Sequence, residues 1–334
     1  MKKNKLLLLL VLLVAVVSGA WAQDPATYKI TVAEGTEDAD NWTVSPNPAP
    51  AGSPVTATYS GEKKVKSVKA VKVDPKAVPL TIEAITAGTI QVAQPKEGMQ
   101  YSLNGGAKTA VTTDEIVLNA GDKVAFYGNG TTITSYGASS PSDCTQITGS
   151  GDGFTCKVYG NIMSLVDEEG FATAKTLSGD YNFRYLFNNN TTLTDASGLL
   201  LPATQLAERC YQQMFMGCNA LTAAPELPAT QLAELCYYLM FMDCTALTAS
   251  PVLPAETLVS NCYRQMFANC SKLATVTCLA TSGIGQSGST TNWLSGAGSQ
   301  AEGDKTIYTV SAAEWHVGFN NEIPSGWERV NIDN

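Results

Sequence analysis

The sequence predicts a multidomain chain, with N-terminal all-β modules of sandwich type followed by a short α/β solenoid with caps. Three observations predict it. First, LPATQLAERCYQQMFMGCNALTAAPE (201–226), LPATQLAELCYYLMFMDCTALTASPV (227–252) and LPAETLVSNCYRQMFANCSKLATVTC (253–278) follow one another directly at a period of 26 residues. Back-to-back repeats mean stacked units that cover one another's apolar faces. Second, YKITV (28–32) and PVTATYS (54–60) alternate like half-buried strands between Pro- and Gly-rich turns. Third, strand-like segments recur at about 10-residue spacing up to residue 160, the pattern of a sandwich.

Residues 1–22 read as a secretory signal peptide. Lys2, Lys3 and Lys5 precede a 12-residue apolar run, Leu6 to Val17, and Ala20-Trp21-Ala22 is an A-x-A cleavage site. The run is shorter than the ~20 residues a bilayer span requires, so no transmembrane segment is expected after cleavage. The first cysteine is Cys144, so no lipoprotein Cys stands at the cleavage point, and the chain is expected to be secreted or at the cell surface. The 21 basic residues lose three lysines with the signal, leaving 18 against 30 acidic ones, a net charge of −12. That balance argues against nucleic acid and anionic membrane as partners. The lysine-rich 61–76 reads as the solvated, aggregation-resistant face of a Val-rich edge strand, or as a patch for an acidic glycan or protein.

The expected domains are a small β-domain at 23–77, a second β-domain at 78–160, the solenoid at 161–280 and a C-terminal cap at 281–334. NWTVSPNPAPAGSPVTATYSG is similar to the β-rich modules of secreted bacterial proteins, which are immunoglobulin-like or β-grasp-like spacers. The GDG at 151–153 reads as a hairpin turn, because its flanks do not supply the 6–8 oxygen ligands calcium takes. YNFRYLFNNNTTL (181–193) matches CYQQMFMGCNAL shifted by 28, with Asn182 and Asn190 where later repeats carry cysteine, so it reads as a divergent first repeat.

Within a repeat, Leu206, Cys210, Met214 and Cys218 fall at steps of four, beside Tyr211 and Phe215. This predicts the buried stripe of a helical segment. A short extended rung, Leu221 to Leu227, follows, and Pro202, Pro228 and Pro254 stand after the rungs. The succession of rung, L-P and a segment ending M-F-x-x-C-x-x-L resembles the leucine-rich repeats of BspA-like bacterial surface proteins over about 181–280. NWLSG (292–296) and IPSGW (323–327) are similar to their end pieces. The resemblance implies a leucine-rich-repeat fold, export, and adhesion to host or bacterial partners. The period of 26 and the C-Y-x-x-M-F segment depart from the family's usual ~23 residues and imply a longer helical arc.

Nine cysteines in an exported chain raise the question of disulfides. In a helical segment Cys210 and Cys218 would lie about 12 Å apart, beyond bridging reach. The repeat cysteines therefore read as small buried hydrophobes. Cys144 and Cys156 flank TGSGDG and would face each other across a hairpin, which makes them the candidate disulfide, worth about 3 kcal/mol.

No catalytic site is expected. His316 is the only histidine, and no C-x-x-C, H-E-x-x-H or phosphate loop is present, so neither a metal nor a cofactor is called for. LPATQ resembles a cell-wall sorting motif but lies mid-chain with no apolar tail. The candidate binding residues lie on the rung face: Thr222 and Glu226, then Thr248 and Ser250. Four rungs at about 4.8 Å, each strand about 13 Å long, project only some 250 Å². A standard interface takes about 800 Å² per partner, so loops, caps or β-modules must contribute. The expected function is adhesion to, or binding of, a protein or glycan. A spacer role in the envelope or in a secreted assembly is the alternative, and a glycan-active enzyme the more remote one.

Overall fold

The structure is a computed structural model. It describes six strands within residues 6–73, and residues 74–130, 133, 140–177, 179–310, 313, 315–319 and 322–332. The cleavage site and Lys63, Lys64 and Lys66 lie outside the described residues. The chain divides into two compact units, Met1–Val78 and Pro79–Asn334.

In the first unit, β1 (Leu6–Val11), β2 (Thr27–Thr31), β3 (Trp42–Ser45), β4 (Ala49–Pro50), β5 (Pro54–Tyr59) and β6 (Lys69–Val73) form two three-stranded antiparallel sheets. Their orders are β1-β5-β3 and β4-β2-β6. The apolar run expected to belong to a signal peptide supplies β1, with Leu6 opposite Tyr59. Cleavage after Ala22 would leave β3 and β5 as a two-stranded pair.

The second unit opens with β7 (Thr81–Ala84), β8 (Gly88–Ala93), β9 (Gln100–Leu103), β10 (Lys108–Ala110), β11 (Ile116–Leu118), β12 (Lys123–Tyr127), β13 (Gln146–Ser150) and β14 (Cys156–Asn161). Alternation decides which side chains point inward: Ile82, Ile90, Val124, Phe126 and Ile147 are fully buried. β15 (Leu193–Leu200) then pairs parallel to β14, completing a sheet of order β10-β9-β12-β7-β14-β15. Strands β11-β8-β13 make a second sheet. The remaining strands, β16 (Ala249–Leu253), β17 (Thr275–Cys278), β18 (Lys305–Thr309) and β19 (Trp327–Asn331), form an all-parallel sheet in chain order. One apolar cluster runs from Leu80 through the repeats to Trp327.

The expected α/β leucine-rich-repeat solenoid is not what forms. About 5% of the chain is helical, against 30% strand, and the described residues contain short 3-10 turns but no α-helix. Nor do the sheets run continuously through the repeats. The first mixed sheet ends at β15 and the parallel sheet begins at β16, and the rung of the first 26-residue repeat meets β15 at an isolated Asp195–Ala223 bridge rather than as a strand. Proline accounts for the interruption, since it donates nothing to a ladder. Pro225 lies within the first rung, which is not a strand. Pro251 lies within β16, whose register with β17 shifts between Ala249 and Val252. TVTC in β17 has no proline and pairs regularly with β18.

The segment expected to be helical is a train of four-residue turns. Arg209, Gln213 and Gly217 have positive φ, as do Leu235, Leu239 and Asp243, and Asn261, Gln265 and Asn269. Backbone N–H groups alternate in what they bond. Gln212, Met214, Met216 and Cys218 donate three residues back, whereas Tyr211, Gln213, Phe215 and Gly217 donate to Cys236, Tyr238, Met240 and Met242 of the next repeat. Every second donor therefore serves the stack and not its own turn, and the backbone polar groups are satisfied without a helix. A helix is excluded sterically. Phe215–Phe241 and Phe241–Phe267 stack with ring centroids 5.4 and 5.6 Å apart, and Tyr211–Tyr237 at 5.8 Å. Helices pack 8–10 Å apart and cannot repeat at this spacing. Residues at steps of four still face one side, because four-residue turns share that period.

These aromatic columns hold the repeats together. Each ring buries 150–250 Å², roughly 4–6 kcal/mol at 25 cal/mol per Å² before chain entropy is subtracted. Trp293 continues the Phe187–Phe215–Phe241–Phe267 column, accepting the Phe267 N–H on its carbonyl, and Trp315 stacks on it at 5.4 Å and closes it. The Tyr211 and Tyr263 hydroxyls are buried without hydrogen-bond partners, an arrangement that costs about 1–3 kcal/mol per group. Phe241→Ala should therefore cost about 3–5 kcal/mol, whereas Tyr211→Phe should be neutral or stabilising by ~1 kcal/mol. Denaturant unfolding of the two variants checks both, and a destabilised Tyr211→Phe would contradict the assignment of an unpartnered hydroxyl.

Candidate functional site

The rung face holds the four residues singled out by sequence, and two of them are engaged in structure. Thr222 donates its Oγ1 to the Thr194 carbonyl at 2.9 Å. Ser250 fills the register shift left by Pro251: its Oγ accepts the Thr277 N–H at 3.1 Å and donates to the Pro251 carbonyl at 2.8 Å. Glu226 and Thr248 remain exposed.

A second exposed face, between each L-P and the segment expected to be helical, is richer in uncommitted groups. After each L-P-A come Thr204-Gln205, Thr230-Gln231 and Glu256-Thr257, followed in the cap by Thr281-Ser282, all exposed. Their backbones form a second ladder. Thr176 bridges Gln205, Gln205 bridges Gln231 and Thr257 bridges Ser282. Leu206 N–H donates to the Gln231 carbonyl and Leu258 N–H to that of Ser282, while Thr230, Gln231, Thr281 and Ser282 donate in the opposite direction.

The step from Gln231 to Thr257 is the exception. Among the described residues no backbone hydrogen bond crosses it, and a groove of about 390 Å³ opens there. Thr230, Gln231, Glu256 and Thr257 line the groove with polar groups, and Leu232, Pro254 and Val259 supply its apolar wall. The Leu232, Glu256 and Thr257 N–H groups have no protein acceptor, and the Gln231 amide and Glu256 carboxylate have no side-chain partner. Thr257 Oγ1 lies 3.1 Å from Ser282 Oγ. The arrangement offers several donors, one carboxylate and an apolar wall, with no cation among the lining side chains. The recurring T-Q and E-T pairs are the signal available in the sequence, standing between the prolines and the apolar stripe of each repeat.

The cysteines are not a site. All nine are buried free thiols. The expected Cys144–Cys156 bridge is not formed, because β13 and β14 do not make a hairpin. β13 pairs with β8, β14 pairs with β7 and β15, and the GDG turn joins two different sheets. Cys144 packs on Tyr185, and Cys156 Sγ lies 3.7 Å from Thr192 Oγ1. In the repeats, Cys218, Cys244 and Cys270 donate their thiols to the carbonyls of Phe187, Phe215 and Phe241 at 3.0–3.1 Å. Asn190 plays the same part in the divergent first repeat, donating to the Ile147 carbonyl at 3.1 Å.

His316 is exposed. Its Nδ1 lies 2.9 Å from Glu322 Oε2 and its ring meets Phe319 edge-on. Among the described residues no group of three or more His, Cys, Asp or Glu side chains is placed to hold a metal, and no helix is long and apolar enough to cross a membrane. Comparison with protein-family models, curated proteins and solved structures returns no match. The resemblance to BspA-like proteins therefore rests on the quoted repeat residues alone, and the leucine-rich-repeat fold it implied does not form.

Burial pushes the thiols of Cys210, Cys262 and Cys278 up from 9.0 to about 12. The folded state thus favours the neutral thiol, and the stability this provides is present in full below pH 9. It is lost as pH rises from 9 towards 12, at up to about 1.4 kcal/mol per pH unit for each thiol. A thiol reagent at pH 8 should find no reactive cysteine in the native protein and nine after denaturation, and the urea midpoint should fall on going from pH 8 to pH 10.5.

Proposed function

We propose that this chain is an exported, surface-associated binding protein that holds a protein or glycan ligand on a rigid repeat scaffold and carries out no catalysis. The single observation that carries the reading is the broken ladder at Gln231–Thr257, where exposed donors, acceptors and an apolar wall converge on one groove. Buried polar-group accounting normally pairs such groups along a stack; left open at the surface, they are available to a ligand. The stacked aromatic core supports the reading by holding the groove rigid, which limits the ordering a ligand must bring about. The signal-peptide features and the resemblance to BspA-like proteins support export and adhesion. The buried, proton-holding thiols and the Glu322-paired His316 favour binding over nucleophilic chemistry.

Tagged protein beginning at Gln23, incubated with matrix proteins, bacterial cells and surface polysaccharides, should be retained by at least one of them. A Gln231→Ala/Glu256→Ala double variant should show retention weaker by roughly 10-fold or more, from the loss of two polar contacts, with an unchanged unfolding midpoint. Retention by none of these surfaces, or retention indifferent to the double variant, overturns the assignment of the groove.

A further inference from the structure

We infer that the ligand of the Gln231–Thr257 groove is an uncharged carbohydrate strand laid along the repeat axis; the inference rests on the binding reading above. Size is the first argument. A volume of about 390 Å³ lies at the low end of the 300–1,000 Å³ typical of small-molecule sites. It suits one or two sugar rings, and a folded partner cannot enter it. Charge is the second. The lining carries Glu256 and no Lys or Arg, so phosphate, sulfate and uronate ligands meet repulsion with no compensating cation. A hydroxyl-bearing ring suits what is present. Its hydroxyls can donate to the Glu256 carboxylate and the Gln231 amide oxygen and accept from the open N–H groups of Leu232, Glu256 and Thr257, while its C–H face rests on Leu232, Pro254 and Val259.

Register is the third argument and separates a glycan from a peptide. The exposed pairs at Thr204-Gln205, Thr230-Gln231, Glu256-Thr257 and Thr281-Ser282 recur once per stacked unit, and across the bridged steps Gln205–Gln231 and Thr257–Ser282 the spacing is that of adjacent strands, about 4.8 Å. An extended peptide lying along the same axis presents like-facing side chains every ~6.6–6.8 Å and falls out of step within two units. A chain of pyranose rings can place about one ring per unit, with one ring seated in the groove and its neighbours over Gln205 and Ser282.

Calorimetric titration of the protein beginning at Gln23 with hexamers of β-1,4-linked glucose, β-1,4-linked N-acetylglucosamine and α-1,6-linked glucose tests this. Polygalacturonate and an extended hexapeptide serve as controls. At least one neutral hexamer should bind and the controls should not. Gln231→Ala and Glu256→Ala should each weaken that binding by about 5- to 10-fold, and Glu115→Ala, at an exposed position between β10 and β11, should leave it unchanged. Binding of polygalacturonate or the peptide in place of the neutral hexamers overturns the inference. So does groove-dependent retention on a proteinaceous surface with no hexamer bound, which leaves the binding reading itself intact. Absence of both overturns the two together.

Discussion

Everything in the repeat unit follows from one constraint: each repeat gives half of its turn-forming N–H groups to its neighbour. Tyr211, Gln213, Phe215 and Gly217 bond forward to the following repeat, and their counterparts at Leu235–Asp243 do the same to the one after. That exchange fixes the separation of successive repeats at a strand-like distance. The fixed distance makes the Tyr and Phe columns stack and forbids helices, and it sets the left-handed corner at every fourth residue. The last corner of each unit falls on Asn189, Gly217, Asp243, Asn269 and Gly296, residue types that tolerate positive φ. The sulfur column obeys the same rule in side-chain form, with each thiol bonding back to a phenylalanine carbonyl one repeat earlier.

The interior of this arrangement was legible in the sequence, and its backbone was not. Leu206, Cys210, Met214 and Cys218 are buried, as steps of four imply, but steps of four arise equally from a 3.6-residue helix and from four-residue turns. The Asn/Gly/Asp column at the end of each unit was the discriminating signal, since a helix interior has no use for residues that accept positive φ. Pro225 and Pro251 were likewise visible inside the rungs and announced that the ladder could not be continuous there. The Cys144–Cys156 pairing failed for a different reason. Proximity across a turn was inferred from local sequence, whereas β13 and β14 are drawn into separate sheets by β8 and by β7 with β15, contacts tens of residues distant.

The candidate site was only partly legible for a related reason. Thr222, Glu226, Thr248 and Ser250 were chosen as outward residues of a regular rung, yet the rung is irregular and two of the three hydroxyls among them bond within it. The groove residues Thr230, Gln231, Glu256 and Thr257 gain their meaning from a hydrogen-bond ladder that skips one step, and no local pattern announces a missing bond. The irregularity sits inside a repeat array whose composition is nearly uniform, so a polar surface that looks monotonous in sequence acquires one distinguished position.

The forward-donating contact has an evolutionary corollary. Because the turn-forming N–H groups cross from the first 26-residue unit to the second by the same atoms as from the second to the third, a further copy can be spliced in without any new kind of turn contact. LPATQLAE opens the first two units identically, which gives unequal recombination a matching stretch to act on. The array can therefore change its reach by whole units, while the unbridged step and the tryptophan closure stay single. A further copy of the first unit would move the groove along the stack away from the sheet β10-β9-β12-β7-β14-β15 without duplicating it, so the number of repeats would tune how far the groove stands from that sheet, independently of what it holds.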